Sequence, residues 1–151
     1  MIEPLRLVFD VDCEQDQAFA LWTEGTALWW PLAHTASKEK GTRIVFEPHP
    51  GGRVYERGPE GTEVDWGSIL EWEPPTRLVY RWHLFSDPKD ATRVEVRFRP
   101  NGNGTTKVEL EHTGWDALDD GLQRRERNKT GWQGLITPYA ASCASQPESA
   151  E

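Results

Sequence analysis

The sequence predicts an α+β fold in which a curved antiparallel sheet of about seven strands wraps around one long C-terminal helix, with two short helices after the first strand. Three features predict it. Apolar residues alternate with period two along successive stretches separated by Gly, Pro, Asn and Asp turn signals. The segment 118–144 instead spaces its apolar residues at three and four, as one face of a helix does. Between them, residues 63–85 read as two strands joined at Pro74-Pro75, whose buried face carries Trp66, Trp72, Tyr80 and Trp82. Each buried aromatic removes roughly 150–250 Å² from water, so that face needs a large apolar partner. The terminal helix, lying in the concave side of the sheet, supplies it.

In chain order, Leu5, Leu7, Phe9 and Val11 form the inward set of the first strand. The rhythm changes at 12–16, and Ala18, Phe19, Ala20, Trp22 and Thr23 follow as a short helix whose acidic first turn complements the helix dipole. Residues 26–30 read as a second short turn, with Trp29-Trp30-Pro31 as an apolar lid, and residues 33–42 as a polar loop. Strands follow at 43–47, with Ile44 and Phe46 on one face, and at 53–57. Strict alternation then places Val64, Trp66, Ser68, Leu70 and Trp72 on one face, and Leu78, Tyr80, Trp82 and Leu84 on one face of the next strand. Val94, Val96 and Phe98 alternate in the sixth strand; Val108, Leu110 and His112 point inward from the seventh, across a turn at Asn101 to Gly104. In the terminal helix Leu122, Trp132, Leu135, Ile136 and Tyr139 form the apolar stripe and Arg124, Arg125, Arg127 and Lys129 are solvated. Pro138 is expected to kink or end that helix unless its turn relaxes. One domain spans 1–144, with fraying from Ser142 onward and a tail at 145–151.

The 151 residues carry 17 basic and 25 acidic side chains, a formal charge of −8. That balance opposes binding to nucleic-acid phosphates or anionic lipid surfaces. No run of ~18 apolar residues suggests a membrane span, and the opening MIEPLRLVFD lacks a signal-peptide pattern, so a cytoplasmic protein is expected. Cys13 and Cys143 lie near opposite ends of the sequence; a disulfide framework is not expected and both read as plain thiols.

No His-x-His, Cys-x-x-Cys or His-Glu-x-x-His spacing occurs, so neither a metal nor another cofactor is expected. There is no Gly-x-Ser-x-Gly and no glycine-rich phosphate loop. Glu71 and Glu73 fall opposite Trp72, an outward solvated pair rather than a catalytic dyad. His112 is either a core histidine bonded to its neighbours or an acid–base group working near neutral pH. His34, beside Trp29-Trp30-Pro31, is either solvated on its loop or placed at a cavity mouth. The positive signal is the set of eight tryptophans. They either fill the space between sheet and helix or line a cavity whose indole N–H groups orient a ligand. Gly131 and Gly134 on the covering helix favour the cavity, because small residues there leave room.

The chain resembles the helix-grip superfamily called SRPBCC or START-like, which includes the birch-pollen allergen. Within it the resemblance is to the bacterial branch related to the C-terminal domain of the activator of heat-shock-protein-90 ATPase. The residues that carry it are Ala18-Phe19, Trp22-Thr23-Glu24, Trp29-Trp30-Pro31, Gly51-Gly52-Arg53, the run from Trp66 to Pro75, Arg77-Leu78, Trp82, the run from Thr92 to Phe98, Glu111-His112, Gly114-Trp115 and Gly131-Trp132. They follow the family's order through nearly the whole chain. The resemblance implies the helix-grip fold and a superfamily that uses one cavity for lipid carriage, hormone sensing, polyketide cyclisation or partner binding.

The leading expectation is a non-enzymatic binding protein for a small apolar or aromatic molecule held between sheet and terminal helix. Trp66, Tyr80, Trp82, Phe98, His112 and Trp132 would form its walls and Trp29 with Trp30 its entrance. The alternative is a cyclase, hydratase or hydrolase in which His112 positions or protonates a substrate. A third reading is a chaperone-associated module, which an exposed apolar patch around Trp115 would favour. The eukaryotic activators have an additional N-terminal domain for which this length leaves no room. A homodimer through a sheet edge is a further option.

Overall fold

The computed structural model describes residues 1–84 and 86–145; Phe85 and the end of the tail, 146–151, lie outside the described residues. Seven strands run β1 (Leu5–Val11), β2 (Arg43–Phe46), β3 (Arg53–Arg57), β4 (Glu63–Glu73), β5 (Arg77–Trp82), β6 (Thr92–Pro100) and β7 (Thr106–Thr113). The helices are α1 (Gln15–Thr23), α2 (Thr26–Trp29) and α3 (Gly121–Ala144), with short 3-10 turns at Leu32–His34, Pro88–Asp90 and Trp115–Ala117. The sheet is antiparallel in the order β1-β7-β6-β5-β4-β3-β2. Strands β2 to β7 form a meander, and β1 adds to its far edge because α1 and α2 carry the chain across the open end before β2 begins.

Local chemistry explains the elements. Glu14 and Gln17 form a reciprocal capping box at the start of α1, and Asp16 lies in its first turn. Val94, Val96, Phe98, Val108, Leu110 and His112 are all buried on the inner face, as their alternation requires. Glu71, Glu73 and Glu95 lie on the outer face. Glu95 accepts from Arg77 Nε at 2.8 Å and Arg97 Nε at 2.6 Å. Burial raises its pKa, but the Arg77 and Arg97 guanidiniums outweigh that and hold it down at about 2.

Strand β4 departs from strict alternation. Trp66 has no partner in the β3 register, where Val54 faces Gly67 and Tyr55 faces Asp65. Leu70 has none in the β5 register, where Tyr80 faces Ile69 and Val79 faces Glu71. Each bulge inserts a residue and reverses the faces. The buried set is therefore Trp66, Gly67 and Ile69, with Trp72 packed against the core, while Leu70 is exposed. Gly67 is required here: a Cβ would collide with the Arg81 carbonyl. The loop before β2 is fastened rather than loose. The buried Glu56 carboxylate accepts from Ala36 N at 2.6 Å, Ser37 N at 2.9 Å and Trp66 Nε1 at 2.8 Å.

The terminal helix corrects four expectations. Leu122 is not in the apolar stripe but exposed. Arg124 and Arg125 are not simply solvated: Arg124 pairs with Asp120 and Asp90, and Arg125 donates to the Glu3 carbonyl. The helix runs on through Pro138 to Ala144, so it does not fray at Ser142. Cys143 is fully buried and its thiol hydrogen-bonds that of Cys13; both remain free thiols, brought together from opposite ends of the chain.

Candidate ligand cavity

Most of the space between sheet and α3 is filled by rings. Trp22 lies 5.3 Å from Trp29, 5.0 Å from Tyr139 and 6.0 Å from Trp132, centroid to centroid. Phe19 meets Phe98 at 5.3 Å and Trp72 at 5.2 Å. The void left among Phe9, Trp22, Trp29 and Tyr139 is only about 10 Å³. Small-molecule sites need roughly 300 Å³ or more.

A cavity of about 320 Å³ lies instead at one end, where the β5–β6 connection, the segment after α2 and the first half of α3 meet. Its floor is Trp30, Trp82, Trp115, Trp132 and Leu135, all buried. Its mouth carries His34, Asp90, Arg124, Arg127 and Asn128. On α3 the bordering residues 124, 127, 128, 131, 132 and 135 recur at helical spacing, which puts them on one face. Gly131 is in the middle of that face, and a Cβ there would meet nothing within 4 Å.

The floor is a touching triad: Trp30 to Trp82 at 5.8 Å, Trp82 to Trp132 at 5.8 Å and Trp30 to Trp132 at 6.1 Å. Behind it sits His112, fully buried. Trp132 Nε1 donates to His112 Nδ1 at 3.0 Å, which leaves the proton on Nε2, facing Thr92 Oγ1 at 2.5 Å. Thr92 Oγ1 donates in turn to the Trp82 carbonyl at 3.3 Å, and Trp115 Nε1 donates to the His112 carbonyl at 2.9 Å. One residue thus holds three bordering side chains. Burial pushes its pKa down to about 3, so the ring is neutral.

Of the residues expected to line the site, Trp30, Trp82 and Trp132 border the cavity. Trp66, Tyr80, Phe98 and His112 do not; they are packed in the core behind it. Trp29 is not at the entrance: it is buried, donating to the Leu21 carbonyl at 2.9 Å. His34 does reach the mouth, whereas Gly134 faces outward, away from the cavity. Sequence reading missed Thr92, Asp90, Arg124, Asn128 and Leu135 as bordering residues; for the α3 members, the three-and-four spacing from Gly131 and Trp132 was the available signal. Trp115 is only 2% exposed, so no apolar patch forms around it. Among the described residues no group of His, Cys, Asp and Glu is placed to hold a metal ion. None of their helices is long and apolar enough to cross a membrane.

Residues 12–138 match the family described as Activator of Hsp90 ATPase homolog 1-like protein. Among solved structures, Txn09, an anthrahydroquino-γ-pyrone synthase, is 32% identical over 93% of this chain and 96% of its own, with a TM-score of 0.61. CalC from Micromonospora echinospora, a self-sacrificing resistance protein, is 25% identical over 98% of this chain and 97% of its own, with a TM-score of 0.69. The Aha1 dimer from Colwellia psychrerythraea is 13% identical and shares the fold, with a TM-score of 0.68 over 95% of this chain and 98% of its own. No curated protein is a detectable match. Matched over most of its length and built as a seven-stranded sheet gripping a terminal helix, the chain belongs to the Activator of Hsp90 ATPase homolog 1-like family of SRPBCC helix-grip proteins.

Proposed function

We propose that the protein binds a small, flat aromatic molecule in the end cavity, with its ring system on the Trp30–Trp82–Trp132 floor and a polar end among His34, Arg124 and Arg127. The observation that carries this reading is the open volume of about 320 Å³ over a tryptophan floor, within the size range of small-molecule sites. Stacking on indoles suits a planar ring, and a half-exposed charged mouth suits a polar substituent. Trp66, Tyr80, Phe98 and Trp29 support the floor from behind, and His112 positions it.

Gly131→Leu is the discriminating variant. Its side chain projects from the cavity face of α3 into open space, so the helix is retained while the site is filled. Titration with anthracene sulfonate should quench the tryptophan fluorescence of the native protein with saturation and leave Gly131→Leu unquenched with no loss of stability. Equal quenching of both proteins would remove the ligand from this cavity.

Catalysis on a bound aromatic molecule is a second reading, favoured by the 32% identity to a synthase. His112 is then a poor acid or base, because both ring nitrogens are engaged behind the floor. The reacting groups would be His34 and Asp90 at the mouth. Asp90→Asn should abolish turnover and leave binding intact, and His34→Gln should abolish turnover as well; full activity in both would exclude these groups.

A further inference from the structure

We propose that Trp82 selects the ligand through its indole Nε1–H, and that the ligand, stacked on the neighbouring Trp rings that are tilted against Trp82, carries a carbonyl or quinone oxygen on the ring edge that meets this N–H in line. The inference rests on the cavity being a ligand site and concerns which aromatic molecule it prefers.

Behind the charged mouth of His34, Asp90, Arg124 and Arg127, the polar groups of the cavity lining are committed elsewhere, one by one. Trp30 Nε1 donates to the His34 carbonyl at 3.1 Å. Trp115 and Trp132 donate to the carbonyl and the ring nitrogen of His112. The Thr92 hydroxyl accepts a hydrogen bond from His112 Nε2 and donates one to the Trp82 carbonyl. Ser86 Oγ donates to the His83 carbonyl at 3.1 Å, and Asn128 Nδ2 to the Arg124 carbonyl at 2.8 Å. Among the described residues the indole N–H of Trp82 has no partner, although the side chain is only 7% exposed. Among the described residues no fully buried side-chain nitrogen or oxygen lacks a partner, so this nitrogen remains accessible. The floor therefore offers one uncommitted donor. A ligand that covers it without an acceptor strips it of water and leaves the hydrogen bond unmade, which costs about tenfold in affinity. A site with a single buried donor discriminates well against analogues that lack the matching acceptor.

Two probes of the same tricyclic outline isolate the effect: anthraquinone sulfonate and anthracene sulfonate, substituted at the same ring carbon. The native protein should bind the quinone about tenfold more tightly than the hydrocarbon. Trp82→Phe keeps an aromatic floor and removes the N–H, so the roughly tenfold preference for the quinone should vanish and the two probes should bind this variant with equal affinity. In native protein labelled with 15N-tryptophan, the quinone should shift the Trp82 Nε1–H resonance downfield more than any other indole, a readout independent of whether the variant folds. Equal affinities for the two probes, or the largest shift on another indole, would overturn the role of Trp82 and leave the cavity reading standing. If neither probe binds the native protein, the cavity reading fails and the selection with it.

Discussion

His112 is held neutral by its surroundings, and that neutrality has a consequence for stability. Its folded pKa is about 3 against an ordinary value of 6.5. Between these values the unfolded chain takes a proton that the folded protein refuses, so stability is complete above pH 6.5 and falls as the pH drops toward 3. Glu95, held at about 2 against 4.5, adds its own loss only below pH 4.5. From pH 6.5 to 4.5 the decline assigned to His112 is at most about 1.4 kcal/mol per pH unit. Denaturant midpoints measured across that window should slope in the native protein and flatten in His112→Gln; parallel slopes would mean that the histidine takes its proton while folded. The inward position of His112 follows from its alternation with Val108 and Leu110 alone. Its partners do not, since Thr92 and Trp132 each lie 20 positions away in the chain.

At the scale of elements, two glycines with opposite surroundings predict opposite effects. Gly67 sits where β4 presses against the Arg81 backbone, so Gly67→Ala should separate β4 from β5 and cost about 3 kcal/mol or more. Gly131 lies in the interior of α3 with open space around it, so Gly131→Ala should stabilise the protein by about 1 kcal/mol. Thermal unfolding of the two variants checks both signs, and a destabilised Gly131→Ala would mean that the helix face is not open there. Strand and helix identities were legible because period two and period 3.6 are properties of neighbouring residues. The bulges at Trp66 and Leu70 were not. The adjacent apolar pair Ile69-Leu70 marks a break in alternation, but only pairing with β5 decides which of the two enters the core.

Across the whole molecule, the segment of β1 and α1 and the terminal helix α3 meet on one core. Tyr139 Oη, from the last third of α3, donates to the Ala18 carbonyl of α1 at 2.7 Å, and Cys143 reaches Cys13 just beyond β1. Tyr139→Phe should cost about 1 kcal/mol and leave one cooperative transition, with near- and far-ultraviolet circular dichroism melting together. A separate early loss of near-ultraviolet signal would show that α3 detaches on its own. The chain by itself determined the fold class, the order of strands and helices, and the inward positions of Trp82 and His112, because these follow from local spacing and from the need to cover an aromatic sheet face. The tertiary structure alone decided that Trp22, Trp29, Phe98 and Tyr139 fill the middle of the grip and that the cavity opens at its end. Where space remains depends on how side-chain volumes from distant elements interlock, and no periodicity along the chain encodes that.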